Sequence, residues 1–127
     1  MYVVYKYLGW VNIGLLVLIL AHFILRRINR IGFSNKNRFM KKAAAFMSKI
    51  HPYLTIVLTA TAFLHGFNLA GGIRFHSGYI AFIAILLQAT AGALVKARKK
   101  KQFLIIHRFT GILLATAVII HVIIMKT

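Results

Sequence analysis

Four apolar runs dominate the chain, at roughly 2–25, 52–70, 78–95 and 103–125, and polar residues are concentrated in the segments between them. Each run comes close to the ~20 residues a helix needs to cross a hydrocarbon core of roughly 30 Å. In lipid a helix satisfies its own backbone hydrogen bonds, whereas an open strand edge cannot. The pattern therefore predicts an all-α integral membrane protein. A single transmembrane domain over 1–127, folded as a four-helix bundle, is the expected architecture.

The connections are unequal. "RRINRIGFSNKNRFMKK", with Lys49 just beyond it, joins the first two runs, and "KARKKKQ" joins the last two. Between the second and third lies "GFNLAGGIRFHSG", which carries only Arg74. Because Lys and Arg accumulate in cytoplasmic loops, both basic connections are expected inside and both termini outside. The first run could be taken for a signal peptide. Its basic cluster follows the apolar stretch, however, and no small-residue cleavage site is evident, so it reads as a helix. A multi-pass protein of a prokaryotic cytoplasmic membrane is the expected setting.

Composition sharpens the picture by what it removes. Among 127 residues there are 17 Lys and Arg but no Asp, no Glu and no Cys. A soluble nucleic-acid-binding protein would carry its basic residues on a solvated face. Here they come in blocks between apolar runs, so no nucleic-acid partner is expected and the charge reports topology, with contact to anionic lipid as a further use. Without thiols or carboxylates, disulfides, Fe–S clusters, carboxylate-metal sites and carboxylate acid–base catalysis are all excluded.

The remaining chemistry lies in the histidines. "HPYLTIVLTATAFLH", residues 51–65, and "HRFTGILLATAVIIH", residues 107–121, each place two imidazoles fourteen positions apart. Fourteen residues at 100° each are nearly four whole turns, so both members of a pair share one helix face, roughly 21 Å apart. One helix intervenes between the second and fourth, so these two run in the same direction. His51 then matches His107 in depth near the cytoplasm, and His65 matches His121 near the outside. Facing helices would offer two stacked bis-imidazole sites, the axial ligation of a low-spin b haem. Zinc would want further protein ligands that the chain lacks. Thr55, Ala62 and Gly111, one turn from a histidine, leave room for a porphyrin edge, although Gly111 also suits close helix packing. The two segments form a weak repeat offset by 56 residues, in which His51, Ile56, Leu58 and His65 recur as His107, Ile112, Leu114 and His121.

Two such pairs on alternate helices resemble the di-haem cytochrome b superfamily, which includes the cytochrome b core of quinol-oxidising bc complexes and the membrane domain of ferric reductases and NADPH oxidases. "HRFTG" is similar to the start of a ligand helix in these groups. The resemblance covers residues 51–121 and rests on the spacing. It implies two b haems in a four-helix bundle, with iron held by His51, His107, His65 and His121, and electron transfer across the membrane. The chain lacks the extra helices, the flavin- or nicotinamide-binding domain and the acidic quinol-site motif of larger members. A cytoplasmic redox partner subunit is therefore expected, with quinone as a further donor or acceptor and oligomerisation left open.

Haem propionates would need cations or other donors, for which Arg108, Lys49 and Arg74 are the candidates; interfacial anchoring is the plainer use of Lys49 and Arg108. His22 and His76 read as hydrogen-bonding or interfacial residues, or else as quinone-site donors or substitute ligands. Gln88, in mid-span, is expected to bond a neighbouring helix. Tyr2, Tyr5, Tyr7 and Trp10 read as an interfacial aromatic belt. The function expected from the sequence is that of an electron-transfer subunit of an oxidoreductase complex rather than an enzyme alone. A small ion or metal transporter and a cofactor-free membrane anchor are the competing readings.

Overall fold

The computed structural model describes residues 2–70 and 76–125. Among these residues the chain is all-α, in four helices: α1 (Tyr2–Gly32), α2 (Arg38–Ala70), α3 (Ser77–Arg98) and α4 (Lys101–Ile124). Each of the four is long and apolar enough to cross a membrane. Arg74 falls outside the described residues.

The helices overrun the apolar runs. α1 continues seven residues beyond position 25, through "RRINRIG", and α2 begins well before its apolar stretch, at Arg38. The reason is propensity: Arg, Lys, Met and the Ala43–Ala45 triplet are good helix formers, so the helix persists where hydropathy fails. Most of the basic connection is thus helical, and the turn proper is residues 33–37. Ser34 and Asn35 take left-handed backbone there, with φ of 48° and 65°. Asn29 organises the turn from inside. Its side chain is 2% exposed, accepts from the Asn37 amide at 3.1 Å and donates to the Asn37 carbonyl at 3.3 Å. Asn37 in turn caps α2, its Oδ1 accepting from the Met40 amide at 3.1 Å.

The chain forms two compact units, residues 1–62 and 63–127. In the first, α1 and residues 38–62 of α2 make an antiparallel hairpin around Ile19 and Leu58, with Thr61 donating to Asn12 across it at 2.6 Å. In the second, α3 packs along α4 around Ala81, Ile85, Ala91 and Leu114. Lys99 and Lys100 alone connect these two helices; Lys99 turns the chain with a φ of 52°. The N-cap of α3 is His76, whose Nδ1 accepts from the Tyr79 amide at 3.1 Å.

Among the described residues few side chains are buried, while Val17, Phe23, Ile56, Leu87, Ile112, Ile119 and Ile123 are among many large apolar ones left exposed. Polar side chains turn back onto their own helices. Thr55, Thr59, Thr90, Thr110 and Thr116 each donate to the carbonyl four residues earlier, at 2.8–3.0 Å. An apolar exterior with its hydroxyls internally satisfied is compatible with a lipid bilayer, which offers no hydrogen bonds.

Candidate functional site

The histidine stripe of α4 is turned toward α3. Helical spacing puts His107, Gly111, Leu114, Val118 and His121 on one face of α4, and α3 answers with Gly92, Gln88, Ile85, Ala81 and Gly78. The match is one of size. A Cβ on Gly78 would meet His121 Cε1 at 3.0 Å, one on Gly92 would meet His107 Cε1 at 3.2 Å, and one on Gly111 would meet Gln88 Nε2 at 3.1 Å. Gly78 and Gly92 are fourteen residues apart, the same interval as His107 to His121. Antiparallel helices in constant register therefore seat each imidazole on a glycine backbone.

Each seat comes with a polar partner. At the seat on Gly78, the Ser77 hydroxyl lies 2.9 Å from His121 Nδ1. The His76 ring edge also converges on Gly78, and His65 and His76 both lie within electrostatic reach of His121. At the seat on Gly92, Thr110 donates to Gln88 Oε1, which turns the Gln88 amide nitrogen toward His107 Nε2 at 3.5 Å. The Nδ1 of His107 is buried. Gln88 thus bonds a neighbouring helix and occupies the space that Gly111 leaves.

In the first unit His51 sits at the head of the apolar part of α2, next to Pro52, which cannot donate to the helical ladder. The Nδ1 of His51 lies 3.2 Å from the Ile19 carbonyl, and that of His22 lies 3.0 Å from the same oxygen. The two rings meet edge to face, with centroids 4.9 Å apart and planes at 75°. A carbonyl can only accept, so a hydrogen bond at either distance requires the ring to donate from Nδ1–H.

The sequence candidates therefore fall into two groups. His107, His121 and Gly111 are drawn together with α3, and His51 with α1. Thr55 bonds the backbone of His51 at 3.0 Å, while Ala62 and His65 are half-buried and Lys49 and Arg108 are exposed. Ser77, Gly78, Gly92 and Thr110 were not singled out by the sequence. The fourteen-residue interval between the two glycines was the available signal. Among the described residues no three His side chains group into a metal-ion site. Comparison with protein-family models, with curated proteins and with solved structures yields no match.

Proposed function

We propose that this chain is a small membrane cytochrome that carries electrons across a lipid bilayer through two b haems. His51 and His107 would hold the inner haem, and His65 and His121 the outer one. The helices would form a four-helix bundle with both termini outside. The observation that carries the reading is the recurrence of one interval: histidines fourteen apart on α2 and again on α4, the latter backed by glycines fourteen apart on α3.

The surrounding groups suit haem ligation. An imidazole that ligates through Nε2 ordinarily gives its Nδ1–H to a carbonyl, carboxylate or similar group, which fixes the tautomer and the ring plane. His51 has the Ile19 carbonyl for this and His121 has the Ser77 hydroxyl. At His107 it is Nε2 that faces Gln88, so ligation there requires the ring to turn or the amide to withdraw. Bound haem supplies a one-electron couple, and the chain's own part is to set axial ligands, ring orientation and exclusion of water. Arg108 and Lys49 would serve the propionates of the inner haem and Arg74 those of the outer, with Gly111 admitting a porphyrin edge.

The test is a visible spectrum and pyridine haemochrome assay of the purified protein. Low-spin bands with about two haems b per polypeptide are expected. His51→Ala and His107→Ala should remove one and the same haem, and His65→Ala and His121→Ala the other. An intact preparation that takes up no haem when supplied with excess would overturn the proposal and leave the transporter and anchor readings.

A further inference from the structure

With 17 basic residues and not one Asp or Glu, the chain cannot neutralise any cation from within. On an open helix face this matters little, since salt screens each charge. It matters where cations converge on a concavity. Beside the α1–α2 turn, Arg26 and Arg30 of α1 and Lys41 of α2 line one cavity of about 390 Å³, together with Asn29 and Asn35.

This hollow is built. Asn29, buried in its wall, is tied to the Asn37 backbone in both directions and to Asn35 Oδ1 at 3.4 Å. The two sides of the turn are thereby held at a fixed distance. The N-terminus of α2 adds about half a positive charge, and the C-terminus of α1 about half a negative one, so the helix dipoles leave the three cations uncompensated. Two guanidiniums on successive turns offer the forked donors that match a phosphate, and the lysine adds a point charge.

The cavity also lies at a particular depth. Arg26 is the first charge after the apolar run of α1, and Phe23, 52% exposed, stands one turn earlier on the same helix face. A ligand with an anionic head in the cavity would thus have its apolar portion against Phe23. We infer that the cavity holds the phosphate headgroup of an anionic phospholipid from the leaflet adjoining the α1–α2 turn. This site is independent of any cofactor.

The experiment uses the full chain, delipidated in detergent and titrated separately with phosphatidylglycerol, phosphatidylcholine and inorganic phosphate, with adducts counted by native mass spectrometry. One phosphatidylglycerol per chain is expected, without a matching phosphatidylcholine adduct, and inorganic phosphate should not displace it. Arg26→Gln with Arg30→Gln should weaken the adduct about thirtyfold, from the worth of two basic residues at an anionic surface. Arg27→Gln with Lys42→Gln removes equal charge outside the cavity and should weaken it less than threefold. Lys41→Gln alone should weaken it several-fold, and provides the readout if the double variant does not fold. Equal loss in the cavity and control variants, or equal retention of phosphatidylcholine, would overturn the site. Stoichiometric displacement by inorganic phosphate would overturn its assignment to lipid.

Discussion

Ser77 illustrates how one side chain can tune a ligand it does not replace. Its hydroxyl sits 2.9 Å from His121 Nδ1, on the first residue of α3. If His121 ligates the outer haem through Nε2, losing this partner frees the ring to rotate and lowers its basicity. Outer-shell partners of metal-bound histidines typically contribute tenfold to a hundredfold in affinity. Ser77→Ala should therefore weaken the outer haem by that factor and shift its midpoint potential, leaving the inner haem unchanged, and Ser77→Thr should restore both. Redox titration resolved into two components is the measurement, and equal effects on the two haems would reduce Ser77 to a packing residue. The four ligand candidates were legible because imidazoles in apolar helices are rare and their spacing repeats. Ser77 was not, because serine at a helix start ordinarily reads as a cap. Here His76 takes the cap and leaves the hydroxyl to another helix.

At the scale of the element, hydropathy located the spans but not the helices. Apolar runs mark what lipid can cover, whereas helix ends follow propensity and capping, so α1 and α2 extend into the basic segments. The glycines of α3 were legible only in hindsight of register: once α3 and α4 are antiparallel and Gly92 faces His107, the equal interval brings Gly78 to His121. This contact gives a graded expectation. Gly92→Ala places a Cβ 3.2 Å from His107 Cε1, which a shift of a few tenths of an ångström relieves. Gly92→Leu drives a branched side chain into the imidazole and should cost about 1–3 kcal/mol of packing. On the proposed haem reading, the inner haem should be lost in the leucine variant and weakened in the alanine variant, with the outer haem retained. Gly14 has nothing within 4 Å among the described residues, so Gly14→Ala should leave both haems in place and, by helix propensity, add up to about 1 kcal/mol. Absorbance of the two haems and thermal unfolding in detergent check the series. Loss of both haems in Gly92→Leu would mean that the hairpin folds or fails as a whole.

For the whole molecule the asymmetry of charge predicts an orientation and, on the proposed haem reading, the side from which electrons would enter. Fourteen of the 17 Lys and Arg lie in or beside the α1–α2 and α3–α4 connections, against Lys6, Arg74 and Lys126 elsewhere. Single cysteines at Ser34 and Asn68, probed on intact cells with an impermeant thiol reagent, should label at Asn68 and not at Ser34. The reverse result would invert the topology. With the basic connections inside, positive charge surrounds the expected position of the inner haem. Such a field draws an acidic protein into encounter at rates that fall as salt screens it. The chain has no cysteine for an Fe–S cluster, so the two haems would have to be filled from elsewhere. Reduction of the isolated protein by a cytoplasmic fraction with a low-potential donor should therefore be fast at low ionic strength and slow several-fold as salt rises from about 0.01 to 0.15 M, over which the Debye length shrinks from about 30 to 8 Å. Replacing Lys99, Lys100 and Lys101 by Gln should flatten that dependence without altering either haem spectrum. Rapid reduction by a quinol alone, indifferent to salt and to the lysines, would instead make this a self-sufficient quinol-linked cytochrome.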